Sequence, residues 1–505
     1  MKSAIRNYAL LFVGCVLFHI AGTWSLPLID RDEPRFAESS REMIQRGDYI
    51  VPYFNNQLRL DKPPLTYWAQ VASYHLFGQN DFAARFPSAV AGALTALSLL
   101  ACGSRLGAAT APHMQTSQVR TGWVAAIIFT LCLQTFIHAK AAVADMWLVL
   151  FVSTAHWAGL ELLRDGLTNA KYPGSHAEYR ISFWWFVFYI SLALGFLAKG
   201  PIAWVPLLTV GSTIFYVPNL QLTRRFKFVR GIVLMLAIIA AWAIPALIQT
   251  HGEFLRVGIG RHVIGRSLGA MEGHGWNSVG GYVLLLPFYF VTAFVSFFPW
   301  SIKLPSLLKR LWRKRDRIDS YLFSGTAVIF IIFSLLKTKL PHYTLPAFGL
   351  LALLLARHRP DHIAPATIAS RLSLFGAIAI TTASVWIAVA LVIPPLVARF
   401  FPAYRLLQES RLYLQPQMQF ASVQFKEPSL VWYFRSRVSG FLTPMGSRRA
   451  TSFMQEKGPR FVILPTSLAA TLFASHPENW KTFPTTGFDI AKGTRVELTL
   501  VLKPE

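Results

Sequence analysis

Repeated apolar runs restrict the fold of this chain more than any other sequence feature. At 1.5 Å per residue, about 20 apolar helical residues cross the roughly 30 Å hydrocarbon core of a bilayer. The first such run is Tyr8–Leu28, and the others cover 82–101, 121–138, 142–162, 181–198, 201–218, 231–250, 279–300, 320–336, 342–356 and 372–398. The pattern predicts a mostly α, polytopic membrane protein with about eleven transmembrane helices.

The composition supports this interpretation and excludes other classes. Hydrophobic residues make up 53% of the 505 residues and charged residues only 14%, whereas about 25% are charged in soluble proteins. The net charge of +25 fits basic loops facing anionic lipid and a site for phosphate better than it fits nucleic acid. The three cysteines lie in or beside apolar runs, so neither disulfides nor structural zinc is expected.

The distribution of Lys and Arg predicts the orientation of the chain. Basic residues are concentrated in alternate loops, at 224–230, 303–317 and 357–359. Because cytoplasmic loops carry an excess of Lys and Arg, these loops and the N-terminus are expected in the cytoplasm. The loop 29–81, here called the first outer loop, and the Gly-rich loop 251–278 then face outward.

The C-terminal region differs in composition from the rest of the chain. Residues 1–398 form the predicted membrane domain, and the stretch from about 399 to 505 contains no apolar run long enough to span. Arg460–Pro465 and Arg495–Leu502 are predicted strands, and Pro428–Tyr433 is a further short element. We therefore expect a small α/β domain outside the membrane.

The first outer loop begins with a predicted helix. Asp32 is placed to cap it, Pro34 suits its first turn and Gly47 suits the position after its end. Its paired charges, Glu38 with Arg41 and Glu42 with Arg46, predict a solvated helix face. Asp32 and Glu33 are either partners of the helix dipole or acid/base groups.

Further polar residues occur at other outward turns. Lys62 lies in the rigid sequence Asp61-Lys-Pro-Pro64, where it either extends to the membrane surface or binds a phosphate. Asp145 occupies an apolar setting in which a carboxylate needs a role, and Lys140 is a possible ion-pair partner. Lys199 is most simply a cation that extends to the membrane surface from a tight turn.

The outer turn at 337–346 has the strongest phosphate-binding pattern. Two cations on an outward face oppose the positive-inside trend, and prolines stiffen the turn around them. The candidate phosphate ligands here are Lys337, Lys339, His342 and Tyr343, with Arg266 as a further candidate in the Gly-rich loop. No P-loop or GxGxxG motif occurs, so the carboxylates and cations suit a phospho-lipid substrate better than a nucleotide.

Three motifs in order carry a resemblance to a known family. Asp32-Glu-Pro-Arg-Phe-Ala-Glu38, Asp61-Lys-Pro-Pro64 and Lys337-Thr-Lys-Leu-Pro-His-Tyr-Thr-Leu-Pro346 resemble the bacterial membrane glycosyltransferases of the GT-C superfamily. Within that superfamily the chain looks like the lipid A aminoarabinose transferases and the protein O-mannosyltransferase-like enzymes, and the likeness extends from the N-terminus to about residue 356. The resemblance implies a GT-C fold of about 11–13 transmembrane helices. It also implies an inverting transfer, without nucleotide, from a polyprenyl-phosphate sugar on the periplasmic face.

The resemblance also implies roles for individual residues. Asp32 matches the catalytic aspartate of the first loop, with Glu33 beside it, and Asp145 matches a second acidic position. Residues expected near the donor phosphate are Arg35, Lys62, Lys339 and Tyr343. Asp61 and His274 align with a carboxylate and a histidine that bind a metal in the family, so a divalent ion (Zn²⁺, Mg²⁺ or Mn²⁺) is expected there.

Three hypotheses for the function follow. The first is sugar transfer from polyprenyl phosphate to lipid A or another envelope glycolipid, by a monomer in the bacterial inner membrane. The second keeps the donor and changes the acceptor to Ser or Thr of secreted proteins. The third is a transporter or flippase of a lipid-linked sugar, which the absence of a visible internal repeat disfavours. No nucleic acid partner is expected.

Overall fold

The structure is a computed structural model that describes residues 2–110, 115–168, 181–218, 220–265, 279–359 and 374–505. The N-terminal part is helical apart from one short hairpin. Its first eight helices among the described residues are α1 Lys2–Ile20, α2 Asp32–Arg46, α3 Leu65–Phe77, α4 Asp81–Thr110, α5 Gln115–Leu131, α6 Leu133–His138, α7 Asp145–Thr168 and α8 Phe183–Lys199. The hairpin pairs β1 Tyr53–Phe54 with β2 Gln57–Leu58 in the first outer loop.

The second part of the membrane domain continues with shorter and more broken helices. They are α9 Val205–Ser212, α10 Leu222–Phe226, α11 Phe228–Gln249, α12 Val279–Leu284, α13 Phe288–Ser296, α14 Leu304–Arg313, α15 Arg317–Leu335, α16 Phe348–Arg357 and α17 Leu374–Val397. A π-helical segment, Leu255–Gly265, follows α11, and a 3₁₀ segment, Pro341–Ala347, precedes α16.

Several helices are long enough to cross a membrane. Among the described residues, five pass this test: Asp81–Leu106, Asp145–Thr168, Leu222–Gln249, Arg317–Leu335 and Leu374–Phe400. A sixth is added if the bent pair Gly280–Ser296 and Trp300–Arg313 is one span, and there are shorter apolar helices at Ile5–Ile20, Arg120–Leu131, Phe183–Lys199 and Pro201–Phe215. The prediction of a mostly α, multi-pass membrane protein is confirmed.

The long continuous helices are fewer than the apolar runs predict, and proline explains part of the difference. The predicted span 342–356 consists of the 3₁₀ segment Pro341–Ala347 followed by the ten-residue helix α16. The predicted span 201–218 likewise begins in a 3₁₀ turn at Pro201. Proline lacks the amide donor that a continuous α-helix needs. Hydropathy therefore locates the apolar segments but not the breaks within them.

The spanning helices differ in how much of their surface the protein covers. Most of the apolar windows of α4 and α7 are buried, at 67% and 72%, whereas only 28% of the window around α11 and 17% of that around α17 are buried. Exposed Ile, Leu and Val side chains cover α11 and α17. Such apolar exteriors suit helices that face lipid. The centre of the bundle therefore lies around α4 and α7.

The C-terminal region folds as a small α/β domain. Its helices are α18 Pro402–Ser410, α19 Pro428–Phe434, α20 Ser447–Gln455 and α21 Thr466–Leu472, and its strands are β3 Gln419–Val423, β4 Leu442–Met445, β5 Arg460–Pro465, β6 Lys481–Asp489 and β7 Thr494–Lys503. The strand order is β4-β3-β5-β7-β6, with β3 parallel to β4 and β5, and β7 antiparallel to β5 and β6. Both strands predicted from the sequence are confirmed, and the element at Pro428 is helix α19.

Helix α2 has the predicted bounds but not the predicted environment. It runs from Asp32 to Arg46, and Gly47 ends it in a left-handed conformation at φ 66°. The prediction of a solvated face is wrong, because Glu38, Arg41 and Glu42 are all buried. The C-terminal domain covers this face through α19, a long-range contact that helical periodicity does not reveal.

A buried charge cluster joins α2 to the C-terminal domain. Arg41 donates to Glu38 at 2.9 Å and to the backbone carbonyl of Trp432 at 2.9 Å. Arg435, which follows α19, pairs with Glu38 and lies 3.2 Å from Glu42. Because buried charges are costly unless paired, the two arginines and two glutamates hold each other in place.

Removing Arg435 tests this cluster. Arg435→Ala leaves Glu38 and Glu42 buried with fewer cations, so it should lower the free energy of unfolding by about 3–5 kcal/mol. The matched control is Arg405→Ala, which breaks a half-exposed pair with Glu409 in α18 and should cost no more than about 1 kcal/mol. Midpoints of thermal unfolding in one detergent provide the comparison, and equal losses for the two variants would contradict the buried cluster.

A second docking contact depends on pH. Asp30 accepts hydrogen bonds from the backbone N–H of Ser429 at 2.8 Å and from its hydroxyl at 2.5 Å. Burial raises the pKa of Asp30 from its ordinary 3.8 to about 7, although the Ser429 hydrogen bonds act in the opposite direction. Between these two pKa values, Asp30 is therefore protonated in the folded state and ionised in the unfolded state. Stability from this group is present below the ordinary pKa and is lost as pH rises through the folded pKa.

The Asp30→Asn variant should remove this pH dependence. Between about pH 5 and 8 the wild-type midpoint temperature should fall relative to that of the variant, because asparagine does not ionise. Thermal unfolding at a series of pH values measures the difference between the two curves. Parallel curves over that range would contradict the assignment to Asp30.

Candidate active site

A polar cavity of 390 Å³ brings together residues from opposite ends of the membrane domain. Its walls come from the start of α2, the segment between β2 and α3, the start of α7, the end of α8 and the turn before α16. The polar residues lining it are Asp32, Arg35, Gln57, Arg59, Asp61, Lys62, Asp145, Lys199, Thr338, His342 and Tyr343. Seven residues predicted from the sequence therefore line one space: Asp32, Arg35, Asp61, Lys62, Asp145, His342 and Tyr343.

The first turn of α2 separates two neighbouring carboxylates. Asp32 begins the helix without capping it and is exposed at the cavity. In the described part of the chain, no side chain forms an ion pair with Asp32. Arg35 lies on the next turn and also lines the cavity. Because residues three apart share a helix face, Asp32 and Arg35 are presented together.

Glu33 points away from this cavity. It receives two hydrogen bonds from Arg85 at 2.9 and 2.6 Å and one from the backbone N–H of Ala142 at 2.7 Å. The side chain is buried, and it does not line the polar cavity. Consecutive side chains of a helix point about 100° apart, so Glu33 points into the protein interior when Asp32 faces the cavity. The structure thus gives Glu33 a structural position and not the catalytic one expected from the sequence.

Asp145 is paired with Lys199, not with Lys140. Nζ of Lys199, the last residue of α8, lies 2.5 Å from Oδ1 of Asp145, the first residue of α7. Lys140 instead donates to the carbonyls of Phe18, His19 and Ala21 at 2.9, 2.9 and 2.7 Å. A cation at a helix C-terminus satisfies carbonyls that lack intrahelical partners. The interpretation of Lys199 as a cation extending to the membrane surface is therefore wrong.

Arg59 and Tyr67 were not predicted from the sequence. Arg59 is buried, donates to the hydroxyl of Tyr67 at 2.9 Å and lies 3.1 Å from Asp61. Burial raises the pKa of Tyr67, so its hydroxyl stays protonated. The spacing of Arg59 and Asp61 on either side of Leu60 was the only local signal. Together these contacts fix the Asp61-Lys62 segment at the cavity wall.

The two lysines of the 337–346 turn do not line the cavity. Lys339 is buried and donates to the carbonyls of Phe333 and Ser334 at 3.1 and 2.5 Å, near the end of α15. Lys337 is partly exposed and outside the lining. The phosphate-binding role expected for Lys339 is therefore replaced by a helix-capping one. His342 and Tyr343 are the residues of this turn that reach the cavity.

The predicted metal site is only partly described. Arg266 and His274 lie outside the described residues, and Asp61 is engaged with Arg59. Among the described residues, His138, Asp145 and His342 form a group whose ligand atoms lie within 4.8 Å of one another. A divalent ion has donors of suitable type at this second position.

An apolar groove adjoins the polar cavity. It has a volume of 150 Å³ and shares Asp61, Lys62 and Lys199 with the cavity. The rest of its wall is mostly apolar and comes from α8, α11 and the π-helical segment, including Phe196, Ile239, Trp242, Ala246, Leu247 and Phe254. Two cations therefore stand at the boundary between a polar space and an apolar one. This arrangement suits a ligand with an anionic head and an apolar tail.

Comparison with known proteins finds a matching family model and similar curated sequences. The sequence model of the dolichyl-phosphate-mannose-protein mannosyltransferase family matches residues 23–254. The undecaprenyl phosphate-alpha-4-amino-4-deoxy-L-arabinose arabinosyl transferase of Erwinia tasmaniensis is 29% identical over 363 residues, covering 70% of this chain and 59% of that protein. A protein of the same name, numbered 2, from Sodalis glossinidius is 31% identical over 357 residues, covering 67% and 58%. The chain thus spans about three fifths of the length of such relatives.

The fold has solved counterparts. The crystal structure of ArnT from Cupriavidus metallidurans bound to undecaprenyl phosphate superposes with a TM-score of 0.75 at 18% identity, covering 98% of each chain. The apo structure of the same protein gives 0.70 and covers 99% of this chain and 98% of that one. The protein is therefore a multi-pass membrane protein with the fold of ArnT. The expected resemblance to aminoarabinose transferases is confirmed as sequence similarity and a shared fold.

Proposed function

We propose that this protein is an inverting glycosyltransferase that moves a sugar from a polyprenyl phosphate to lipid A or another envelope glycolipid. The observation that carries the proposal is the pair of cations, Lys62 and Lys199, shared by the polar cavity and the apolar groove. The names of the relatives support undecaprenyl phosphate as the carrier. The basic loops at 224–230 and 303–317 support an inner-membrane protein whose site faces the periplasm.

The apolar groove and the polar cavity would each hold a different part of the donor. The groove would take the first prenyl units of the carrier against Trp242 and Phe254. The phosphate would lie between Lys62, Lys199 and Arg35, and the sugar would occupy the cavity beyond them. Charge-assisted hydrogen bonds from such cations stabilise a phosphate more as its negative charge grows.

The reaction needs one new bond and one broken bond. An acceptor oxygen attacks the anomeric carbon while the bond from that carbon to the phosphate oxygen breaks, and the electron pair stays with the polyprenyl phosphate. Attack from the opposite face inverts the anomeric configuration. Arg35, Lys62 and the hydroxyl of Tyr343 stabilise the departing phosphate.

Asp32 is better suited than Asp145 to accept the acceptor's proton. The carboxylate of Asp145 is held by Lys199, while that of Asp32 faces the cavity with no ion-pair partner among the described side chains. A general base must be within reach of the proton it removes and free to receive it. If the acceptor is a lipid A phosphate, it is already anionic, and Asp32 orients a substrate instead.

A protein acceptor is the second candidate. The match of residues 23–254 to protein mannosyltransferases favours transfer to Ser or Thr of secreted proteins, by the same donor chemistry. The polar cavity would then receive a hydroxyl side chain, and Asp32 would act as the base. A transporter has less support, because the carboxylates and cations of the site meet in one cavity next to the first outer loop.

Substitution of Asp32 tests the reaction. Asp32→Asn keeps the size of the side chain but removes the base, so transfer to a hydroxyl should fall about a hundredfold or more. Mass spectrometry of lipid A and total envelope glycolipid would compare a deletion strain complemented with wild type or with Asp32→Asn. Loss of one sugar-sized increment, restored only by wild type, is the expected result. Normal transfer by the variant would remove Asp32 from the mechanism, and an unchanged glycolipid profile would direct attention to secreted glycoproteins.

Lys62 and Lys337 are both candidate phosphate ligands in the sequence, but their substitution should affect donor binding differently. Lys62→Ala removes a cation from the cavity wall and should weaken binding of undecaprenyl phosphate by about 1.5–3 kcal/mol, or roughly ten- to a hundredfold. Lys337→Ala should leave binding unchanged because Lys337 lies outside the cavity lining. Binding to purified protein in nanodiscs measures both. Equal losses for the two variants would contradict the location of the phosphate.

A further inference from the structure

Three side chains with metal-ligating atoms meet at the edge of the polar cavity. His138 ends α6, Asp145 begins α7 and His342 lies in the 3₁₀ segment before α16. One ligand atom from each lies within 4.8 Å of the others. Nε2 of His342 is 3.7 Å from Oδ1 of Asp145, and the two imidazole rings are 4.8 Å apart between centroids. Three separate elements thus converge on one point.

His138 is held in an orientation that suits a metal ligand. Its Nδ1 lies 3.2 Å from the backbone carbonyl of Gln134, which accepts from Nδ1–H when Nε2 binds a metal; the side-chain nitrogen of Gln134, 3.0 Å away, is a donor and does not support that tautomer. Histidine ligands of metals commonly use one ring nitrogen for the metal and the other for a fixed hydrogen bond. Nε2 of His138 is then the nitrogen available to a metal.

We propose that His138, Asp145 and His342 bind one divalent transition-metal ion. Two imidazoles and one carboxylate are ligands that Zn²⁺ and Mn²⁺ accept, whereas Ca²⁺ and Mg²⁺ prefer sets made of oxygens. Three protein ligands leave a coordination position open. This site is distinct from Asp61 and His274, the pair expected from the sequence, since it shares no residue with them.

Lys199 makes the site weaker than a structural metal site. Its ammonium group lies 2.5 Å from the Asp145 oxygen, so a bound cation must share that carboxylate with a positive charge. Repulsion between the two cations lowers the affinity. An anion in the cavity would offset this repulsion. In that respect the inference rests on the proposed function: a donor phosphate should raise the affinity for the metal.

Metal binding by the full-length protein tests the proposal directly. Protein without a histidine tag, stripped with EDTA in detergent, is titrated with Co²⁺ and with Zn²⁺; visible absorption follows Co²⁺, and elemental analysis counts bound Zn²⁺. Wild type should bind one ion when no other divalent cation is present. His138→Gln and His342→Gln should each weaken binding by at least about tenfold. His75→Gln, which changes an exposed histidine on α3, is the matched control and should bind like wild type.

Two further variants separate the alternatives. Gln134→Ala removes an amide NH₂ that can donate to Nδ1 of His138 and so favour a proton on Nε2; it should therefore not weaken metal binding, in contrast to His138→Gln. His274→Gln should have no effect if the metal lies at the proposed position. Loss of binding in His274→Gln, with His138→Gln and His342→Gln unchanged, would overturn the proposal in favour of the site expected from the sequence. Failure of wild type to bind either ion would overturn it as well.

The outcome can be read separately from the transfer reaction. Gel filtration and the midpoint of thermal unfolding confirm that each variant folds. A wild-type protein that binds metal but changes no glycolipid would preserve the metal site and contradict the proposed function. A wild-type protein that transfers sugar but binds neither Co²⁺ nor Zn²⁺ would support the proposed function and contradict the metal site. Adding undecaprenyl phosphate to the Co²⁺ titration tests the coupling between the two, which should appear as tighter binding.

Discussion

The buried charge cluster on α2 is the constraint on which the rest of the structure depends. Glu38 and Arg41 lie in the middle of a helix that carries Asp32 and Arg35 on its first turns. Because unpaired charges are not tolerated in such a place, Arg435 must reach Glu38 from the C-terminal domain. The cluster thereby fixes how far and at what angle the start of α2 approaches the polar cavity. A helix left on the surface would not define the position of Asp32 with this accuracy.

The C-terminal domain is consequently part of the frame of the candidate site. Besides the α2 cluster, the hydroxyl of Tyr433 accepts a hydrogen bond from the backbone of Leu28 at 2.8 Å and donates to Asp81 at 2.9 Å. Trp432 donates to the same aspartate at 2.7 Å. These contacts tie α19 to the chain on both sides of the first outer loop. The loop is thus held between the membrane helices and the C-terminal α/β domain, which explains how a segment of short helices and a hairpin with two-residue strands keeps a defined shape.

Local signals in the sequence predicted local structure well. Pro34 and Gly47 marked the ends of α2, and apolar runs in the tail marked β5 and β7. Motifs also identified most of the cavity residues. What the sequence could not supply was pairing across long separations. Lys199 forms the ion pair with Asp145 that was expected of Lys140, and Lys140 instead donates to backbone carbonyls at the end of α1. The roles predicted for Lys339 and Glu33 were wrong for the same reason. Lys339 donates to backbone carbonyls and Glu33 accepts from Arg85, and only the fold brings these partners together.

The apolar groove has a consequence for how a ligand is supplied. One of its walls is α11, a helix whose other faces are largely uncovered by protein. An amphiphile that binds there is partitioned into the bilayer before it meets the protein. Occupancy then follows the number of ligand molecules per lipid, and the volume of the surrounding solution has little influence. In micelles, extra detergent dilutes the ligand at constant bulk concentration, so an apparent dissociation constant describes this protein only as a mole fraction in its lipid phase.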